Sequence, residues 1–534
     1  MNRIATIIIA LLILTICRCA YLPLPPAPIS EFGPEIRIGI AENLATIEFE
    51  SDGTIDVFNS DEKLLAESIL GKRWQVTLQN AAPAPLGYGL LYRETEDALV
   101  AQQLTSNLER ANFSSKIKQI KKRVFRNGQL REIIFYQVLL KPFFDSEAEA
   151  RQYQRQIQPQ LSTTILPFFK ARPAGKIILT NISNGARFES STMIRVMGNL
   201  FKLTTITGKN FHFERAQQRT YRNHLEFWID QYGGVTVVNQ LPIEIYLRGV
   251  VGSEMNQGFP MEALKAQAVT ARGFTIGMLD KLHRMAPFDL CDEVHCHVYG
   301  GVEREAESVT EAVMKTRGQV LIYKDQICDT RYAAVCGGHS ENNENVWVGT
   351  PQPYLRGRPD TRSARSVSNL SDESTVRRWI ESTPDVFCNT LKIPIPDALA
   401  YTKKYFRWTE QYSRSELSQI INQKTGQNIG LLNEIVPLER GVSGRLKKIE
   451  LRGSLRSLVI ENELQIRNVL SRNYLYSSCF VVDRQGENFI LKGAGWGHGV
   501  GMCQTGAGAM ALRGFDYRAI LDHYYHGSKL VRIY

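Results

Sequence analysis

The chain has 534 residues, 43% of them hydrophobic and 22% charged, with a formal net charge of +10. This balance excludes a disordered or fibrous class and is enough for a large core spread over two or three domains. The positive charge serves solubility or an anionic partner.

Residues 1–17 read MNRIATIIIALLILTIC. Arg3 gives a short positive start, and the apolar run Ile4–Ile16 is too short to span a bilayer, so the segment reads as a secretory signal. Leu14-Thr15-Ile16-Cys17 resembles a bacterial lipoprotein box, in which the cysteine is lipidated. The expected location is therefore outside the cytoplasm, in the cell envelope, with a lipid anchor in the membrane. Export makes nucleic acid an unsuitable partner and turns the anionic-partner reading toward wall polymer or lipid headgroups. Residues 18–34 are Pro-rich and read as a stiff tether. Seven cysteines follow: Cys291, Cys296, Cys328, Cys336, Cys388, Cys479 and Cys503. An odd number leaves either a free thiol or a metal site. Cys328 and Cys336 flank a strand-like stretch and form one candidate pair.

Residues 35–71 read as N-terminal strands, with apolar and polar positions alternating over 35–59 around Asp52-Gly53. Residues 72–170 follow an approximate internal repeat. Arg73–Gln79 reads as a strand. Glu96–Ala111 reads as an amphipathic helix with Leu99, Leu104 and Leu108 on one face. Two strands over 114–139 turn at Asn127-Gly128, and a helix over Ser146–Gln156 starts with Ser146 as cap and Glu149 three residues on. The order βαβ–βαβ predicts a small sheet with helices on one side. From 176 onward strand patterning returns, and Leu241-Pro-Ile-Glu-Ile-Tyr-Leu opens a helix. The fold class is α+β: a β-rich mixed domain over 176–534, with a helix carrying the active-site region, plus the small N-terminal βαβ-repeat module.

Three segments carry chemistry. In LPIEIYLRGVVGSEMNQGFPMEALKAQAVTAR (241–272), Pro260 suits the first turn of a helix with Glu262 near its positive end. Glu254 lies in an apolar context, where desolvation raises proton affinity as a general acid near neutral pH requires. The alternative is a surface glutamate at a helix-to-loop connection. In HRMAPFDLCDEVHCHVY (283–299), Cys-x4-Cys with histidines nearby fits either a tetrahedral zinc site or a Cys291–Cys296 disulfide. The zinc ligands would be His283, Cys291, His295 and Cys296, a closed structural set, with His297 beside it. In GAGWGHGVGMCQTGAGAM (493–510), seven glycines in eighteen residues let backbone approach a ligand closely, around Trp496, His498 and Gln504.

Several of these phrases in one order resemble the stage II sporulation protein D (SpoIID/LytB) family. They are residues 241–272, Ala312-Val-Met-Lys-Thr-Arg-Gly-Gln-Val-Leu, Cys336-Gly-Gly-His-Ser-Glu, Pro353-Tyr-Leu, RGVSGRLKKIELRG (440–453), and the closing GWGHGVGMCQTGA and YRAILDHYYHG. The resemblance implies a lytic transglycosylase that cuts peptidoglycan glycan strands lacking stem peptides. It maps the single acid/base onto Glu254 and implies 1,6-anhydro products, so that no second carboxylate is required. It implies that Trp496, His498 and Gln504 bind substrate or orient Glu254, that Gly337 and Gly338 form a tight turn lining the groove, and that zinc sits in the 283–299 loop. Some relatives are described instead as enhancers of a cell-wall amidase. The family more often has Ser-Gln-Tyr-Gly-Ala where this chain has Cys503-Gln504-Thr505-Gly506-Ala507. Tyr136–Ala150 resembles SPOR domains, which bind stripped glycan, so 72–170 is expected to be a SPOR-like module. Phe406 and Trp408 are expected to be core aromatics.

Overall fold

The computed structural model describes residues 31–126, 129–210, 213–363 and 367–534. The signal, the lipidation motif, most of the Pro-rich tether and the Asn127-Gly128 turn lie outside the described residues. Among the described residues, no helix is long and apolar enough to cross a membrane.

A large sheet organises the molecule and draws on two distant parts of the chain. Its order is Arg187–Ser190, Ala174–Asn181, Arg73–Ala82, Thr46–Ser51, Met193–Asn210, Phe213–Ile229, Val235–Pro242, Glu35–Leu44 and Leu290–Cys291. The last pairing is parallel and places Cys291 opposite Gly39. Thr54–Asn59 also pairs with Met193–Asn210 and carries Leu64–Leu70 on its outer edge. The period-two alternation of the 35–59 segment is the cause: Ile36, Ile38, Ile47, Phe49, Ile55 and Val57 are all buried in the main core.

Arg73–Gln79 does not open the small module. Trp74 and Val76 are fully buried in the main core, and the strand pairs with Thr46–Ser51 and Ala174–Asn181. The module's first strand is Leu86–Thr95. Its element order is β–α–β–β–α–β, with helices Ala98–Arg110 and Glu147–Ile157. The sheet order is Ser115–Arg126, Gln129–Phe144, Leu86–Thr95, Thr164–Phe169, all antiparallel, a split arrangement. Both helices share one core with the sheet, built on Leu90, Ala101, Leu108, Val138, Leu140 and Ile157. Asp97 and Ser146 cap the two helices through their side chains. Leu99 is 73% exposed, so the apolar face of the first helix runs through Leu104 and Leu108 without it. Arg123 ties the module to the main body through Asp280 and Asp289.

The helix Met261–Met278 lies at the centre of the other layer. Ala263, Ala266, Ala268 and Ala271 are fully buried, and their small side chains let Ile243–Glu254, Glu307–Lys315, Gln504–Leu512 and Tyr517–Tyr524 pack against it. Arg272 and Glu244 form an ion pair between two of these helices, with both side chains 0% exposed. Glu244 also accepts from the Gly318 amide and the Tyr534 hydroxyl. A second core, around Leu417, Leu446, Ile449, Phe480 and Leu491, fills two three-stranded sheets of the 408–493 region. Phe406 and Trp408 are both buried, as expected of core aromatics.

Candidate active site

Glu254 is the last residue of the helix Ile243–Glu254. The helix ends there because Met255 turns extended, with φ −138° and ψ 123°. A carboxylate at this end faces unpaired carbonyls, the negative pole of the helix, and that disfavours its ionised form. Burial acts in the same direction and more strongly. Together with the opposing amide of Val298 and hydroxyl of Tyr332, it leaves the Glu254 carboxyl pushed up to about 7. The Val298 amide donates to Oε1 at 3.0 Å.

The carboxyl opens on a cavity of about 1090 Å³. Tyr332, Trp347, Tyr401, Trp496, His297 and His498 are among its walls. Trp496 lies over Tyr405 at 4.2 Å between ring centroids, and Trp347 meets His498 edge-on at 4.7 Å. Arg331 lies across Trp347 and Phe274, at 4.7 and 4.8 Å from the ring centroids. Aromatic faces beside guanidinium groups suit a polar, ring-shaped, anionic ligand. Burial and the nearby Arg331, Arg445 and Arg467 hold His498 neutral, with its pKa well below the usual histidine range. Its Nδ1 accepts the Val500 amide at 3.0 Å. His297 is buried, packs on Phe274 and Tyr332, and its Nε2 has no hydrogen-bond partner.

The alternating glycines around His498 have a backbone reason. Gly495, Gly497, Gly499 and Gly501 all take positive φ, between 73° and 99°. Beneath them lies Arg445, almost fully buried, which donates to the carbonyls of Gly497 and Cys336. A Cβ on Gly499 would sit 2.3 Å from its guanidinium carbon.

Gln504 faces the cavity edge but spends its amide on the protein. Its Nε2 donates to the main-chain carbonyl of Glu254 at 3.0 Å and to Gln267 Oε1 at 3.2 Å. Gly337 and Gly338 are not among the cavity walls. They form the expected tight turn, with φ of 79° and 100°. That turn is pressed against Ala494 and Trp379, where a Cβ would come within 2.9 and 2.8 Å. Glu341 is likewise buried and anchors the 441–445 turn by accepting from the Ser443 hydroxyl at 2.6 Å.

The 283–299 loop brings its four expected ligands together. One ligand atom from each of His283, Cys291, His295 and Cys296 lies within 4.8 Å of all the others. His283 Nε2 is 3.3 Å from Cys296 Sγ, and His295 Nδ1 is 3.5 Å from Cys296 Sγ and 3.9 Å from Cys291 Sγ. Zinc bonds of about 2.0–2.3 Å give tetrahedral edges of about 3.3–3.8 Å; the two spacings to Cys296 fall in that range, and the one to Cys291 is just beyond it. Cys291 and Cys296 are unbonded thiols. The loop then runs directly to Val298 and so to the Glu254 carboxyl. Cys336 lies with Cys388 and Cys503, not with Cys328.

Sequence reasoning passed over Tyr332, Arg331, Trp347, Tyr401 and the Val298 amide. The four side chains come from three separate segments, Arg331-Tyr332, Trp347 and Tyr401, with no periodicity of their own, and a backbone donor leaves no residue-type signal.

The stage II sporulation protein family profile matches residues 231–323, and a domain of unknown function matches 341–501. An uncharacterised protein of Brachyspira hyodysenteriae is 33% identical over 299 residues, covering 55% of this chain and 68% of the relative. The stage II sporulation protein D of Bacillus subtilis is 24% identical over 309 residues, with 55% and 75% covered. The amidase enhancer of the same organism is 25% identical over 313 residues, with 53% of this chain but only 40% of that protein covered.

Proposed function

The chain belongs to the stage II sporulation protein D family, and on that premise we propose that it is a lytic transglycosylase of cell-wall glycan with Glu254 as its single acid and base. The observation that carries this reading is a carboxyl pushed up to about 7 at the edge of a large aromatic- and arginine-lined cavity. Near neutral pH a substantial share of it is protonated and ready to donate.

The other two carboxylates on the wall are engaged. Glu303 accepts from the amide and hydroxyl of Thr220, and Glu463 lies 3.4 Å from the Arg467 guanidinium. That favours a one-carboxyl route over the two-carboxylate hydrolysis of ordinary glycosidases. The Glu254 proton passes to the glycosidic oxygen as the C1–O bond of N-acetylmuramic acid breaks, and N-acetylglucosamine leaves with a free 4-hydroxyl. The sugar's own 6-hydroxyl then bonds to C1 and returns its proton to Glu254. No water is consumed, and the product end is 1,6-anhydro.

Trp496, Trp347 and Tyr401 offer apolar faces for sugar rings, and Arg331 offers a cation for the muramic carboxylate. A zinc ion held by His283, Cys291, His295 and Cys296 would supply cross-linking of the loop, since four protein ligands leave no open position. That loop orients the Val298 amide on the Glu254 carboxyl. The split sheet of residues 86–169 fits the SPOR-like reading and would bring stripped strands to the cavity. An exported, lipid-anchored chain suits this substrate.

The similarity to the amidase enhancer of Bacillus subtilis supports a second reading, a non-catalytic glycan binder that promotes a cell-wall amidase. Digestion of amidase-stripped glycan with mass-spectrometric product analysis separates the two. Release of 1,6-anhydromuramyl fragments, lost in Glu254→Gln, is expected. Bound but uncut strands would favour the enhancer reading, and reducing ends would indicate a hydrolase.

A further inference from the structure

Behind the Gly-rich turn, four buried side chains from four separate segments converge. Cys336, Asp360, Cys388 and Cys503 are 3%, 2%, 0% and 1% exposed. One ligand atom from each lies within 4.8 Å of all the others. Cys336 Sγ and Cys388 Sγ are 3.5 Å apart. That is close to the edge of about 3.8 Å expected for two thiolates on one zinc, and well beyond the disulfide length of about 2.05 Å.

The surroundings suit anionic ligands. Cys503 Sγ accepts the amides of Cys336 at 3.2 Å and Gly506 at 3.3 Å, the second because Cys503 caps the helix Gln504–Leu512. Asp360 accepts the Tyr524 hydroxyl on Oδ1 at 2.8 Å and the Cys388 amide on Oδ2 at 2.9 Å. His523 Nε2 has no hydrogen-bond partner and lies 3.5 Å from the same Oδ1. Such donors around a ligand set are how proteins orient metal-binding side chains. The half-buried Arg407 guanidinium, donating to the Gly337 carbonyl at 3.0 Å, adds positive charge alongside. Three sulfurs and a carboxylate converging out of reach of water form a donor set whose ionised forms a bound cation would neutralise.

We propose that Cys336, Asp360, Cys388 and Cys503 hold a second zinc ion. Three sulfurs select a thiophilic ion over magnesium or calcium, and four protein ligands make the site structural and closed to solvent. The ion would join the Gly337-Gly338 turn, the segments around Asp360 and Cys388, and the start of the helix that carries Gln504. It would thereby hold in place the residue that grips the Glu254 carbonyl.

The test is metal analysis of the full chain purified under reducing conditions, with zinc counted by mass spectrometry and folding followed by circular dichroism. Cys336→Ser/Cys388→Ser is expected to lose one zinc equivalent relative to the parent, whichever total the parent holds. Cys291→Ser/Cys296→Ser is expected to retain that equivalent. Cobalt substitution of this second variant should give the intense thiolate-to-cobalt absorption of a three-sulfur site, which keeps the proposal testable if the first variant fails to fold. Three results would each overturn it: unchanged zinc in Cys336→Ser/Cys388→Ser, no thiolate band in the cobalt form, or a Cys336–Cys388 disulfide in peptide mapping of the parent.

Discussion

The side-chain amide of Gln504 donates to the main-chain carbonyl of Glu254 at 3.0 Å, across 250 residues of sequence. It thereby fixes the C-terminal turn of the helix that ends at Glu254. Gln267 accepts from the same amide nitrogen at 3.2 Å, so the three form one hydrogen-bonded chain.

Gln504→Leu should therefore misplace the carboxyl without emptying the cavity. A displacement of this kind costs about 10–100-fold in rate. The expected signature is a lower kcat with little change in KM on stripped glycan. A change confined to KM would make Gln504 a substrate contact instead.

The raised Glu254 carboxyl sets a pH limb. The protonated acid is lost as pH rises through about 7, so glycan cleavage should fall above that point. Tyr332 favours the ionised form, so Tyr332→Phe should move the limb upward. A pH series of kcat/KM on both proteins checks this, and an unshifted limb would remove Tyr332 from the argument.

The same group makes stability depend on pH. Its affinity for the proton is higher folded than unfolded, so its stabilisation is full below about 4.5 and is lost as pH rises through about 7. The whole effect is worth up to about 3 kcal/mol, since each pKa unit corresponds to about 1.4 kcal/mol. Glu254→Gln should then be more stable than the parent at pH 8 and gain little at pH 4. Urea unfolding at the two pH values measures the difference.

The zinc proposed for the 283–299 loop should act through Val298. Cys296→Ser is expected to lose one zinc, lower the melting temperature and weaken cleavage by loosening the amide that meets Glu254 at 3.0 Å. With that amide gone, the remaining activity should show its pH limb displaced upward. An unchanged limb would separate the loop from the acid.

The Glu244–Arg272 pair is fully buried and joins two helices of the central layer. Glu244→Ala leaves an unpaired buried guanidinium, which costs about 3–5 kcal/mol. Chemical denaturation should show that loss at neutral pH, and a change under 1 kcal/mol would refute it.

Much of this molecule was legible in the chain itself. Alternation placed the strands of 35–59, Ser146 marked a helix start, and Glu254, Trp496, His498 and the four-ligand loop stood out by residue type and spacing. Arg73–Gln79 is a strand, as its pattern predicts, but a strand's period does not say which sheet it joins; the burial of Trp74 and Val76 decides that. Gly337 and Gly338 form a turn, yet its contacts with Ala494 and Trp379 keep it off the cavity wall.

What the sequence by itself determined is local: periodicity, caps, the glycine pattern that demands positive φ, and the ordered motifs that identify the family. Only the tertiary structure decided which groups meet. Gln504 and Glu254, or Cys336, Asp360, Cys388 and Cys503, are brought together by packing of helices and turns far apart in the chain. The charge state of Glu254 follows from that same packing, because desolvation depends on everything that surrounds the carboxyl and not on its neighbours in sequence.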